Sequence, residues 1–155
     1  VTTDLPDVDA RKWPLATRRM VIAQVSLCKG CCCGNVERGR PEVPVERMKQ
    51  EWRARGLSKV VQLTISGCLG PCDVVNVVRI SAGDDDAWLG KLRSLDDYLD
   101  LVNWAEESKN AGKPAPLSDR MKERRINPFR NVERFLSVTD TNTDAPGLVR
   151  DNGTP

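Results

Sequence analysis

KVVQLTISGCLGPCDVVNVVRI, residues 59–80, sets two apolar runs on either side of a turn that carries two thiols. Lys59 to Ser66 is rich in β-branched residues and predicts a strand. Val74 to Ile80 predicts another, and its near-continuous apolar run suits a strand covered on both faces. The glycines and proline of GCLGPC break the pattern between them and put Cys68 and Cys72 just past a strand end. The same order occurs upstream. Arg19 to Leu27 (RMVIAQVSL) predicts a strand, and CKGCCCG at 28–34 follows at once, bringing Cys28, Cys31, Cys32 and Cys33. If these two strand ends are neighbours, all six cysteines of the chain can meet at one edge of a sheet.

Between the two units, Pro44 suits the first position of a helix and Gly56 its C-terminal cap, with Val45, Met48 and Trp52 at helical spacing. Downstream, Asp84 to Asp86 predicts a turn and Ala87 to Leu92 (AWLGKL) a short fourth strand. Ser94 caps a second helix, with Asp97 placed for a capping box and Leu95, Tyr98, Leu99, Val102 and Ala105 as its buried face. The order is β-α-β-β-β-α over about residues 18–109. This is an α/β fold with a small mixed four-stranded sheet and two main helices. Residues 1–17 show no period and read as an N-terminal arm, and the domain takes 18–110. Residues 111–155 predict an extended basic tail, with a short helix near Ser118 to Arg125.

At 155 residues the chain is long enough for one domain with a core, and 39% apolar with 30% charged is an ordinary soluble composition. The apolar runs are too short to cross a bilayer and no signal-like segment is seen, so the expected location is the cytoplasm, without membrane insertion. A net charge of +2 gives no reason to expect nucleic acid, and DRMKERRINPFR at 119–130 is too short and too poor in aromatics. The charges are unevenly spread: acidic from Asp84 to Glu107, basic from Lys113 to Arg134. That suits a docking device, an intramolecular clasp or a solvated surface, the last being commonest. The chain has no histidine, which removes histidine-based acid–base and nucleophilic chemistry, histidine-ligated metals and Rieske centres. It has no phosphate-binding glycine loop either. The expectation is a protein that is not an enzyme.

The cysteines carry the chemistry. Cytosolic thiols stay reduced, which leaves an iron–sulfur cluster or zinc as the soft-metal options. A [2Fe–2S] cluster needs four thiolates, two per iron, and N–H donors toward its sulfur. Gly30, Gly34, Gly67 and Gly70 let backbone amides come close. Structural zinc usually takes two C-x2-C knuckles. The C-x3-C of Cys68 and Cys72 is looser than that, which lowers the zinc reading and leaves it open.

C-x4-C (Cys28, Cys33), 34 intervening residues and C-x3-C (Cys68, Cys72) resemble the thioredoxin-like [2Fe–2S] ferredoxins. The same module forms the small ferredoxin-like subunit of complex I and of related NAD-linked dehydrogenases and hydrogenases. GCLGPC between its two strands is the most specific part of the likeness, and CKGCCCG is similar to a bacterial branch of (2Fe–2S) ferredoxin-domain proteins. The resemblance covers about residues 18–109 and implies a thioredoxin-like fold. It also implies one [2Fe–2S] cluster on Cys28, Cys33, Cys68 and Cys72, with Cys32 as the alternative to Cys33. The job it implies is single-electron transfer to or from a partner redox enzyme or reductase. It allows a homodimer, for which Trp88 and Trp104 are interface candidates, although core packing is the commoner role of such residues.

Two departures stand out. Where the family usually has a proline, four residues after the last cysteine, this chain has Asn76, whose side-chain amide can form hydrogen bonds. The Cys31-Cys32-Cys33 triplet offers three thiols where one is needed. The spares fit packing beside the cluster, ligand exchange or redox-sensitive thiols. Lys29 either raises the cluster potential or is simply solvated. Rival readings are a zinc-stabilised binding module on Cys28, Cys31, Cys68 and Cys72, an iron–sulfur redox sensor, and a thiol–disulfide oxidoreductase on Cys28-Lys-Gly-Cys31.

Overall fold

The computed structural model describes residues 14, 15, 17–83 and 85–129. Five strands form one sheet: Ala23–Cys28 (β1), Val61–Ser66 (β2), Val78–Ala82 (β3), Asp85–Leu89 (β4) and Arg125–Ile126 (β5). Their spatial order is β2-β1-β3-β4-β5. Only β1 and β2 run parallel; each later pairing is antiparallel. The parallel pair needs a crossover, and Val45–Ala54 (α1) supplies it. Leu95–Ala111 (α2) follows the β3–β4 hairpin. A parallel β-α-β unit, an antiparallel hairpin and a closing helix make this the thioredoxin-like α/β fold that the sequence implied.

The core lies between the sheet and the two helices. Val25, Leu27, Val61, Val78 and Ile80 of the strands are buried with Met48 and Trp52 of α1 and Tyr98, Leu101 and Val102 of α2. Met48 and Trp52 stand four apart on one helical face. The Trp52 indole N–H donates to Val61 O at 2.7 Å, so the ring is buried without losing its polar contact. Ser94 caps α2 as expected, and its capping box with Asp97 is complete. Gly112 closes the helix in the left-handed region, at φ 67°.

The structure changes several expectations. Val74–Val77 is not strand. A tight turn at Cys72–Val74 leads into a buried loop, because Val74 O and Asn76 O accept from Lys91 N and Leu92 N rather than from a strand. The apolar run there reflects burial, not sheet. Asp85 and Asp86 belong to β4, and Gly83 carries the turn at φ 62°. Asp86 pairs across the hairpin with Arg79 at 2.6 Å. Leu95 is 40% exposed, whereas Leu101, Trp104 and Ser108 are buried, since α2 is covered on a second side.

That second cover is the basic segment expected to be an extended tail beyond residue 110. It folds back instead. The Trp104 indole donates to Ala115 O at 2.7 Å, and the Ser108 hydroxyl accepts from Ala115 N at 2.9 Å. Asp119–Glu123 (α3) buries Met121, and β5 extends the sheet beside β4. Arg120 and Arg124 both reach Asp97 Oδ1, at 2.9 and 3.0 Å, and Arg120 also reaches Asp100. The acidic and basic runs thus form an intramolecular clasp. The described residues end at Phe129, and the rest of the expected tail lies outside them, as does nearly all of the N-terminal arm. Trp88 and Trp104, the interface candidates, are both buried within the chain and pack there. Among the described residues no helix is long and apolar enough to cross a membrane.

Candidate metal centre

Parallel pairing in register places Leu27 opposite Ile65 and Cys28 opposite Ser66. The C-terminal ends of β1 and β2 therefore coincide, and the loops that leave them share one edge of the sheet. Lys29 N donates to Ser66 O at 3.0 Å, tying the two loop starts together. Gly30 makes the approach close: a Cβ there would lie 3.4 Å from Cys68 N. All six cysteines line the resulting crevice, along with Gly30, Gly70, Pro71 and Val77.

The thiols are not equivalent. Cys28 and Cys33 are both buried, and the Cys33 thiol is close enough to that of Cys28 for Cys28 to affect its proton. Cys68 is exposed and Cys72 half-buried, with their sulfurs 3.5 Å apart. Cys32 is half-buried beside Cys72, and Cys31 is exposed, with its sulfur 3.8 Å from that of Cys32. Burial, then the neighbouring Cys28 thiol, pushes Cys33 up to about 12, while the Val77 backbone amide pulls the other way. Cys72 is pushed to about 12 by the Cys68 and Cys32 thiols and then by burial. Crowded thiols hold their protons because two thiolates side by side repel. A cation placed among them reverses that logic. Among the described residues no three Cys, Asp or Glu side chains surround one point as a single-ion site would require. The thiols stand in pairs.

Asn76 is the anchor of the first loop. It is fully buried, its Oδ1 accepts from Gly34 N at 3.0 Å, and its Nδ2 donates to Pro41 O at 2.8 Å. The Val75–Asn76 peptide bond is cis. Gly34 sits at φ 72°, and a Cβ there would meet Val43 Cγ2 at 3.0 Å, so a side chain would be both strained and crowded. Asn35 closes the triplet from the other side: its N–H donates to Cys32 O and its amide to Cys31 O. Cys28 N donates to Val77 O at 3.1 Å, which fastens this loop to the segment after Cys72.

Tyr98 was legible only as part of a helix face. Its hydroxyl oxygen is buried, and among the described residues it has no hydrogen-bond partner. The sole signal in the sequence was that the chain's one tyrosine falls at a core position of α2. Burial holds its proton firmly; the Asn76 amide opposes that, and the Cys33, Asp97 and Cys28 charges reinforce it.

The structure brings together every cysteine singled out from the sequence. It does not form Cys28-Lys-Gly-Cys31 as a pair, since Cys28 neighbours Cys33 whereas Cys31 neighbours Cys32. Nor does that motif open a helix: α1 begins at Val45. The donor set is thiol only, grouped in twos, on loops held by backbone hydrogen bonds. It fits a small iron–sulfur cluster in ligand type and number.

A thioredoxin-like domain with a six-thiol crevice at its parallel strand ends is what fold and site define. No family model matches the chain, and no curated protein matches it. Among solved structures it is similar to the wild-type thioredoxin-like [2Fe-2S] ferredoxin from Aquifex aeolicus, at 17% identity and a TM-score of 0.42, over 69% of this chain and 98% of that one. A cysteine-to-serine variant of the same ferredoxin matches at 16% identity and a TM-score of 0.37, over 68% and 98%. A further structure of it matches at 18% and 0.36, over 69% and 92%. At these values the metal centre rests on the cysteines themselves.

Proposed function

We propose that this chain is an electron-transfer protein that holds one [2Fe–2S] cluster on Cys28, Cys33, Cys68 and Cys72. The observation that carries the reading is the pairing of thiols. A buried pair from the first loop faces a more open pair from the second, across one crevice, which matches the need for two thiolates per iron. A cluster held there would supply one-electron chemistry, at a potential the protein sets anywhere in a range of roughly −700 to +450 mV. Gly30 and Gly34 let the loops close in, Asn76 and Asn35 fix them, and the buried pair keeps water from one side. The partner on this reading is a redox enzyme or reductase in the cytoplasm, and the chain is a carrier, not a catalyst.

The zinc reading keeps one specific support: exposed Cys31 lies near enough to Cys68 for their charges to interact. One experiment separates the two. Iron, zinc and acid-labile sulfide are measured per chain on anaerobically purified protein, with a visible spectrum of the same sample. About two irons and two sulfides, with a brown colour bleached by dithionite, is the expected result. About one zinc and no sulfide would remove electron transfer and leave a structural module.

A further inference from the structure

The two cysteine loops are held in different ways. The first is tied to the core on several sides, through Asn76 to Gly34 and Pro41 and through Cys28 N to Val77 O. The second is not. Within residues 67–74, Cys72 N donates to Gly70 O and Val74 N to Pro71 O, both inside the loop. Among the described residues, one backbone hydrogen bond alone fastens this stretch to another part of the chain: Lys91 N donates to Val74 O at 2.8 Å. Lys91 is itself an exception. At φ 58° it is the one described non-glycine residue in the left-handed region, which is disfavoured for a residue with a Cβ. Such a conformation persists where its surroundings over-determine it. Arg124 does so from two sides: its backbone O accepts from Gly90 N at 2.9 Å, and its Nη1 donates to Lys91 O at 2.5 Å. The junction is closely packed, since a Cβ on Gly90 would meet Ile126 Cγ2 at 3.0 Å and Val74 O at 3.1 Å. The other guanidinium nitrogen of Arg124 reaches Asp97 Oδ1 at 3.0 Å, so this side chain bridges α2 and Lys91. Arg120 shares Asp97, but its further contact is Asp100, not Lys91.

We propose that Arg124 is a positioning residue of the metal centre: by clamping Gly90 and Lys91 it presents Lys91 N to Val74 O, and so sets the turn that carries Cys72 on the open side of the crevice. The proposal deepens the reading of the crevice as a metal centre and rests on it for the role of Cys72. A loop anchored by one hydrogen bond opens locally at little cost. Without the clamp, Lys91 leaves the left-handed region, Val74 O loses its partner, and Cys72 becomes accessible while the first loop stays in place.

The test compares Arg124→Met with Arg120→Met. Each removes a guanidinium from Asp97, but only the first frees Lys91. Metal-free, reduced protein is alkylated with iodoacetamide in the absence of denaturant, and the rate at each cysteine is read by peptide mass spectrometry. In Arg124→Met, Cys72 should react about threefold to tenfold faster than in the wild type, the factor expected when one hydrogen bond no longer opposes opening. Cys28 and Cys33 should keep their rates. Arg120→Met should lower the urea midpoint and leave Cys72 unchanged. Gly90→Ala disturbs the same turn with both arginines kept, and should speed Cys72 without speeding Cys28 or Cys33; it decides the matter if Arg124→Met does not fold. In cobalt(II)-loaded protein, loss of metal to a chelator should be faster for Arg124→Met than for Arg120→Met. An unaltered Cys72 rate in Arg124→Met, an equal rise in Arg120→Met, or a uniform rise at all six cysteines would overturn the proposal. If the wild type takes up neither an iron–sulfur cluster nor cobalt, the metal-centre reading falls, and the alkylation pattern still decides whether Arg124 sets the loop.

Discussion

Asn76→Ala tests whether the first cysteine loop is held from the core or holds itself. The alanine methyl keeps the backbone and removes both amide contacts, leaving Gly34 N and Pro41 O without their protein partner. A hydrogen bond contributes about 0.5–1.5 kcal/mol net, and orphaning a buried partner costs about 1–3 kcal/mol. Gly34 and Pro41 are only half-buried, so water recovers part of that loss. The cavity left by a fully buried side chain adds to it. The expected destabilisation is about 2–3 kcal/mol, read as a lowered urea midpoint with an unchanged slope on metal-free, reduced protein. Because the same contacts position Cys33 and its neighbours, metal retention should drop further than stability alone predicts. Chelator-driven loss of metal should be at least several-fold faster at a denaturant concentration where both proteins stay folded. A midpoint change worth under about 0.5 kcal/mol with unaltered metal loss would mean the loop is set by its own turn, and that Asn76 is only filler.

Three further outcomes follow from the site and the clasp. Single Cys→Ser changes at Cys28, Cys33, Cys68 and Cys72 should each reduce iron per chain or shift the visible spectrum, whereas Cys31→Ser and Cys32→Ser should keep about two irons; elemental analysis checks this. Metal-free protein holds protons on Cys33 and Cys72 at neutral pH, since crowding and burial raise both to about 12. Metal binding must release them, so cobalt or zinc affinity should rise with pH, by up to about tenfold per unit for each proton displaced. Although burial opposes it, the backbone N–H groups of Arg93 and Ser94, then Arg120 and Arg124, hold Asp97 down at about 2. A depressed folded-state carboxyl stabilises above its unfolded value and loses that contribution as pH falls from about 4 through 2. The loss is worth about 2 kcal/mol and should be absent from the pH dependence of Asp97→Asn, followed by urea unfolding of metal-free protein.

The strands, the crossover helix and the meeting of the cysteines were legible because each rests on a local signal. β-Branched runs mark β1 and β2, Met48 and Trp52 mark the face of α1, and the cysteines follow strand ends directly. Asn76 was legible as a hydrogen-bonding substitute at its position, though not which groups it would join. What misled was hydrophobicity without periodicity. Val74 to Val77 is rich in valine because it is buried or half-buried, and a loop whose carbonyls are taken by Lys91 and Leu92 is buried as well as a strand. The folded-back segment hid for a related reason. Its composition is that of a tail, with Met121 and Ile126 its main apolar anchors, and its docking depends on Asp97, whose pairing with Arg120 and Arg124 spans more than twenty residues. Such a contact leaves no periodic trace.

Asp97 ties the segment after α2 to the fold by one path: its carboxylate takes the guanidinium groups of Arg120 and Arg124. A second path runs through the backbone. Lys91 N donates to Val74 O, two residues past Cys72, and Lys91 O accepts from the Arg124 side chain. Gly90 permits this crossing, since a Cβ there would lie 3.1 Å from Val74 O. The loop that follows Cys72 is thus fastened to Arg124, and α2 to both Arg120 and Arg124. An ion pair at the surface would be worth little, but Asp97 is almost wholly buried, and leaving such a carboxylate without its partners is strongly destabilising. The clasp therefore does more than tidy a chain end. It fixes the first turn of α2 and the segment before it, and through Lys91 the loop that follows Cys72.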